Sequence, residues 1–439
     1  MKNYNSAYII RISFISALGG YLFGFDFAVI SGALPFLQQQ FGLDAYWEGF
    51  ATGSLALGAI IGCLFAGKLS DKFGRKRGLL VAAALFFLSS LCMAFSTNKG
   101  IFIPSRLIAG IGVGMASMLS PMYIAEIAPA ALRGRMVAIN QLTIVIGILI
   151  TNIVNYSLRN FGDDAWRWMF GLGTIPSGLF FIGALSLPES PRWLVTVSRV
   201  DEAFAILKKI GNNNFAEETL SSIKKADTGI IKQGFGAAFK KAVLPAVLIG
   251  IGLAVFQQFC GINVVFNYTP RIFQSIGVSQ DNQLLQTVFI GIVNLIFTIL
   301  AMLLVDKLGR KPLMLIGSAG LCILYIVVVR MLAAGSTEVS WFLLSAIGVY
   351  AMSLAPVTWV LISEIFPNKV RSVATSIAVL SLWAAYFILV FTFPILFDKF
   401  GDKTFYIYSF ICLIGFLFIY FRVKETKGKT LEELEITYH

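Results

Sequence analysis

The stretch LSDKFGRK at 69–76 returns as LVDKLGRK at 304–311, with six of its eight residues unchanged. Two further pairs keep nearly the same spacing: AEIAPAALRG at 125–134 with SEIFPNKVRS at 363–372, and, more weakly, PESPR at 188–192 with VKETK at 423–427. Asp71 and Asp306 lie 235 residues apart, Glu126 and Glu364 lie 238 apart, and Glu189 and Glu425 lie 236 apart. Chance does not hold three motifs to one offset, so the chain is an internal duplication.

What surrounds the motifs settles the kind of duplication. The 439 residues are 57% hydrophobic and only 13% charged, against about 25% charged in a soluble domain. A membrane-spanning helix takes about 20 apolar residues, which leaves room for about twelve. A soluble enzyme, a secreted disulfide scaffold and a disordered chain are excluded. Apolar runs of spanning length fall near 9–30, 48–67, 77–95, 101–124, 136–156, 168–187, 243–266, 283–305, 312–332, 341–362, 373–394 and 404–421. In lipid each must satisfy its own backbone hydrogen bonds, and the runs are too long for barrel strands. The expected fold is an all-α membrane protein with twelve transmembrane helices in two six-helix pseudo-repeat bundles.

Lys and Arg crowd the N-terminal tail, the even-numbered loops and the C-terminal tail, whereas 38–49, after the first run, holds no basic residue. Both termini are therefore expected in the cytoplasm. The same bias accounts for the net charge of +12 without nucleic acid. The one long polar stretch, 188–241, contains DEAFAILKKI (201–210) and FAEETLSSIKK (215–225), which show helical spacing and both charge signs. It reads as short amphipathic helices joining two halves. The expected organisation is 1–187 and 242–422 as six-helix bundles, 188–241 as linker and 423–439 as a cytoplasmic tail. Parallel repeats of this kind bind substrate at the repeat interface near the bilayer midplane.

The five cysteines all lie in apolar runs, and the single histidine is His439. A histidine-based relay, triad or zinc site is excluded, and no catalytic residue, metal or cofactor is expected. The repeated loops combine an acid, a turn glycine and cations: Asp71, Gly74 and Arg75 in one half, Asp306 and Arg310 in the other. They suit a latch that pins helix ends by ion pairs. Glu126 with Arg133 and Glu364 with Arg371 supply an acid and a base beside each loop, with Arg75 and Arg310 as natural partners of the acids.

Asp26 lies deep in the first run and Arg106 lies inside the fourth. A charge at the bilayer centre costs at least about 2.5–3.5 kcal/mol, so each is a functional candidate. If the two spans are neighbours they can pair, and protonation of the aspartate would then release the arginine. VFQQFCGINVVFNYTPRIF (255–273) places Gln257, Gln258, Asn263 and Asn267 on one span. Amides donate and accept, which suits the hydroxyls of a neutral polyol. Gln141, Asn294 and Trp359 fit the same lining. Gly110, Gly112 and Gly114 lie within a span and read as close helix packing rather than a dinucleotide loop.

With GKLSDKFGRKR, PMYIAEIAPAALRG, WRWMF, PESPRWL, QQFCGIN, VDKLGRKP, WVLISEIFP and KETKGKTLEEL in order, the chain resembles the sugar porter family of the major facilitator superfamily over nearly its whole length. It is most similar to bacterial pentose and hexose–proton symporters. The resemblance implies the major facilitator fold, a bacterial inner-membrane location, a single working chain, and symport of a monosaccharide with a proton. It also implies proton coupling by Asp26 and Arg106, and sugar contacts at Gln141, Gln257, Gln258, Asn263, Asn294 and Trp359. Trp383 and Tyr268 join that lining, and Glu126, Arg133, Glu364 and Arg371 join the cytoplasmic latch. Three positions depart from the pattern: Leu382 replaces a sugar-contacting amide, Asn267 replaces the first of two aromatics, and Ile148 stands where xylose symporters carry glutamine. A facilitative uniporter and a non-transporting sugar sensor are the alternative readings.

Overall fold

The computed structural model describes residues 4–227, 243–366 and 370–427. Eleven apolar segments are long enough to cross a membrane, and the last, Val373–Arg422, is two helices joined by a short 3-10 turn. The described residues therefore make twelve crossings. The first five are α1 (Ser6–Phe41), α2 (Ala45–Phe73), α3 (Arg75–Ala94), α4 (Lys99–Ile127) and α5 (Ala130–Leu158). The sixth combines α6 (Ala165–Gly171) and α7 (Thr174–Ser186). After the linker helices come α11 (Leu244–Phe259) with α12 (Ile262–Gln274), α13 (Gln280–Leu308) and α14 (Arg310–Ala333). The last three crossings are α15 (Val339–Met352) with α16 (Leu354–Ile365), α17 (Arg371–Phe400) and α18 (Thr404–Arg422).

The apolar run at 9–30 underestimates α1, which continues to Phe41 through the polar Gln38–Gln40. A helix may leave the hydrocarbon and stay helical, because hydropathy marks lipid contact rather than the helix end. The connection at 38–49 shrinks to residues 42–44, where the Asp44 carboxylate accepts from Trp47 N–H at 2.8 Å and starts α2. Three crossings are broken, at 172–173, 260–261 and 353. The second break is made by Gly261, whose φ of 85° is left-handed and open to glycine at little cost.

Chain contacts group the residues into two compact units: Met1–Phe27, Gly58–Ile148 and Arg167–Lys232 in one, Ala28–Leu57, Leu149–Trp166 and Gln233–His439 in the other. The division runs through α1, α2, α5 and α6. In the first unit α2 and α4 approach closely, and a Cβ at Gly114 would collide with the Ala59 backbone; the small residues of span four are packing residues.

The first unit also holds the linker helices α8 (Pro191–Thr196), α9 (Val200–Ile210) and α10 (Asn213–Asp227). Their apolar faces close on a small core of Trp193, Leu194, Val195 and Ala203, flanked by Ile206, Leu220 and Ile223. The rest of the linker, 228–242, and the tail beyond 427 lie outside the described residues.

Candidate functional site

Asp26 on α1 and Arg106 on α4 are 1% and 0% exposed. The structure brings them together through the main chain. Arg106 Nη2 donates to the Asp26 carbonyl oxygen at 3.0 Å, while Asp26 Oδ1 is buried without a hydrogen-bond partner. The guanidinium also lies 5.7 Å from the Phe170 ring. The expectation of side-chain pairing needs that amendment: the arginine is anchored on the helix backbone, and the carboxylate oxygen beside it has no hydrogen-bond partner.

The repeated loops build one cluster in each unit. In the first, Arg75 Nε meets Glu126 at 3.1 Å and Arg75 Nη1 meets Asp71 at 3.4 Å. Main-chain N–H groups of Arg75 and Lys76 donate to Glu189 at 2.9 and 3.2 Å, and the Ser190 hydroxyl donates to Glu126. In the second, Arg310 meets Glu364 at 3.1 Å, N–H groups of Arg310 and Lys311 donate to Glu425 at 3.0 Å each, and the Thr426 hydroxyl donates to Glu364 at 2.6 Å. Lys76 Nζ caps the Leu185 carbonyl as Lys311 Nζ caps that of Tyr420, both at 2.8 Å.

Gly74 and Gly309 have φ of 95° and 91°, and a Cβ on either would strike the carboxylate of Glu189 or Glu425. Each glycine thus serves both the turn and the approach of the acid.

Glu126 and Glu364 are held by Arg75 and Arg310, as their positions suggested. Of the two further arginines, Arg133 has its Nε buried without a hydrogen-bond partner, and Arg371 Nε donates to the Phe366 carbonyl at 3.1 Å. The Asp306 side chain lies outside the described set.

Glu189, Ser190, Glu425 and Thr426 were not among the candidate residues. Their signal was the weak PESPR–VKETK echo, in which only the glutamate is identical and serine faces threonine. Burial would raise the Glu425 carboxyl, but N–H groups of Lys427, Arg310, Lys311 and Thr426 outweigh it and hold the carboxyl below its ordinary value.

The amide row lies in the second unit, across the α11–α12 break. Gln257 Nε2 donates to the carbonyls of Leu354 and Ala355 at 3.2 and 3.1 Å, where α16 begins. Gln258 Nε2 reaches Gln257 at 3.5 Å, and Asn263 Nδ2 donates to Gln258 Oε1 at 2.5 Å. Asn267 Nδ2 donates to the Asn263 carbonyl at 2.7 Å and to the Tyr386 hydroxyl at 3.1 Å. Tyr386 makes an edge contact with Trp383, centroids 5.9 Å apart. Tyr268 is fully buried and donates to the Val390 carbonyl at 2.7 Å.

Asn294 and Trp383 are buried, whereas Trp359 is 42% exposed. Gln141, on α5, is an exposed residue of the first unit. Leu382 and Ile148 are buried apolar residues. The row is neutral and linked by hydrogen bonds, so it can exchange partners with hydroxyls without moving a charge. Among the described residues no three His, Cys, Asp or Glu side chains converge as metal ligands.

Sequence reasoning also missed a polar cluster at the far end of the second unit. Glu48 on α2, with no exposed side-chain surface, forms an ion pair with Arg271 on α12, which also reaches Asp398 on α17. Arg159 meets Asp281 at 3.0 Å, and Asn152 donates to the Thr287 carbonyl at 2.7 Å. Only an unaccompanied acid at the start of a span hinted at Glu48.

Residues 12–438 match the family model described as "Sugar (and other) transporter". The chain is 40% identical to the D-xylose–proton symporter of Escherichia coli, covering 98% of this chain and 96% of that protein. It is 38% identical to the arabinose–proton symporter of Bacillus subtilis, covering 99% and 96%. Among solved structures, it superposes on the xylose transporter XylE from E. coli in a partially occluded inward-open conformation, with a TM-score of 0.87, 37% identity and coverage of 97% and 100%. The XylE structure bound to 6-bromo-6-deoxy-D-glucose matches with a TM-score of 0.83, 40% identity and coverage of 99% and 100%. The chain belongs to the sugar transporter family, with the major facilitator fold. It is a multi-pass membrane protein and a transporter rather than an enzyme.

Proposed function

We propose that the protein is a monosaccharide–proton symporter of the bacterial inner membrane that works by alternating access as a single chain with both termini in the cytoplasm. The carrying observation is Asp26: a buried carboxyl inside a span, with Oδ1 unpartnered and Arg106 anchored on the carbonyl of the same residue. Proton uptake there neutralises the acid and changes its attraction for the guanidinium, which gives the first unit two electrostatic states. The symporters named among the relatives support the same reading.

The neutral row of Gln257, Gln258, Asn263 and Asn294, with Trp359 and Trp383, takes a sugar's hydroxyls and ring face. Tyr268 shapes that lining, and Gln141 is assigned to sugar recognition by family resemblance. The loop clusters around Arg75 and Arg310 act as latches. The repeating halves are 1–187 and 242–422, as the duplicated motifs mark them, with 188–241 and 423–439 as connector and tail. The buried apolar residues at Leu382 and Ile148 favour sugars other than xylose.

Uptake of a panel of radiolabelled monosaccharides into proteoliposomes, with and without an inward proton gradient, tests the reading. Gradient-driven accumulation of one sugar by the native protein, reduced to exchange without accumulation in Asp26→Asn, is the expected result. Equilibration without accumulation in both proteins makes it a uniporter, and binding without flux makes it a sensor.

A further inference from the structure

Where the start of α1 meets the α9–α10 turn, Tyr4, Asn5, Tyr8, Lys208, Lys209, Gly211 and Asn212 line an open surface hollow of about 530 Å³. The two segments are fastened to each other. Asn5 N–H donates to the Ile210 carbonyl at 2.9 Å, and the Tyr4 ring packs edge-on against Phe215 with centroids 5.3 Å apart.

The lining is rich in donors. Asn5 Oδ1 accepts from Tyr8 N–H at 3.1 Å and Asn212 Oδ1 from Phe215 N–H at 2.9 Å. Each amide oxygen is engaged by a main-chain N–H, and the two Nδ2 groups are donors beside two phenols and two ammonium groups. Among the described residues no carboxylate lines the hollow. An anion with several acceptor oxygens is the complement of such a surface.

Its depth relative to lipid follows from α1. Ile10 and Phe14 are 50% and 53% exposed, so the lipid-facing surface of α1 begins there. At 1.5 Å per residue, Tyr8 stands about 9 Å from Phe14 along the axis, which is the reach from acyl chain to headgroup. Tyrosine and lysine side chains favour that zone.

We propose that this cavity binds a phosphate group, and that its occupant is the headgroup phosphate of an anionic phospholipid in the leaflet facing the linker helices. Bound there, the lipid ties α9 and α10 to the start of α1 and the membrane surface. This site is separate from the sugar row and does not depend on which sugar is carried.

The test uses the full chain in nanodiscs of phosphatidylcholine with a minority of phosphatidylglycerol, with retained lipid counted by native mass spectrometry. Lys208→Gln with Lys209→Gln should weaken phosphatidylglycerol retention about 30-fold, each lysine at an anionic surface contributing roughly a factor of five. Lys224→Gln with Lys225→Gln, an equal charge change at the end of α10, should leave it unchanged. Equal weakening by both pairs, or by neither, overturns the site. A second arm titrates inorganic phosphate into lipid-free protein in detergent. Binding that needs Lys208 and Lys209 while lipid retention does not would overturn the lipid as occupant and assign a soluble phosphate. Sugar binding by each variant reports folding separately, so failure of the transport reading and failure of the anion site are read apart.

Discussion

Arg271 shows how one side chain can hold a buried charge of opposite sign. Glu48 has no exposed surface, and Arg271 is the cation that meets it. Removing one partner of a buried pair typically costs about 3–5 kcal/mol, because the remaining charge has neither water nor partner. Arg271→Ala should therefore lower the melting temperature of the purified protein sharply, and Arg271→Leu with Glu48→Gln should recover most of the loss. Equal melting of the single and double variants would show that the pair carries no coupling.

Glu425 makes a prediction in pH. Its carboxyl is held below the ordinary value of 4.5, after four N–H donors overcome the effect of burial. Its contribution to stability is thus fully present above that value and fades as pH falls through the lower folded-state value. Glu425→Gln should be less stable than the native protein at neutral pH, and the gap in melting temperature should narrow on acidification. A gap independent of pH would locate the effect in packing instead.

At the scale of elements, the broken seventh crossing matters most. Gly261 has φ of 85° and ψ of −4°, and a Cβ there would lie 2.6 Å from the Tyr408 ring. The left-handed conformation alone costs a side-chain-bearing residue about 1–2 kcal/mol. Gly261→Ala should lower stability by at least that amount. It should also weaken sugar binding, because Gln258 and Asn263 flank the turn and their hydrogen bond crosses it. Unchanged affinity, measured by isothermal titration, would separate the break from recognition.

The loop clusters belong to the same scale. Gly74 and Gly309 sit between helices so that the carboxylates of Glu189 and Glu425 can reach the first N–H groups of α3 and α14. A negative charge at a helix N-terminus is favourable, which explains why the acid arrives from so far along the chain.

For the whole molecule, coupling sets a ceiling. One positive charge moving through 100 mV is worth about 2.3 kcal/mol, so symport with one proton limits accumulation to about 50-fold at that potential. Radiolabelled sugar in proteoliposomes clamped by potassium and valinomycin should approach that ratio without a pH difference. A plateau at unity would remove coupling, and one well above the limit would require a second proton.

The order of amino acids alone settles the membrane class, the twelve crossings and the duplication, because lipid imposes length and apolarity on every span and leaves few alternatives. It also pointed to Asp26, Arg106 and the amide row, since polar groups inside an apolar run stand out against their neighbours. Tertiary structure decided the partners. Nothing local could show that Arg106 binds a carbonyl rather than a carboxylate, that Glu189 and Glu425 cap helices more than a hundred residues away, or that Glu48 needs Arg271. Those bonds depend on how helices distant in the chain come to lie side by side, and the pattern within one helix carries no record of the face its neighbour presents.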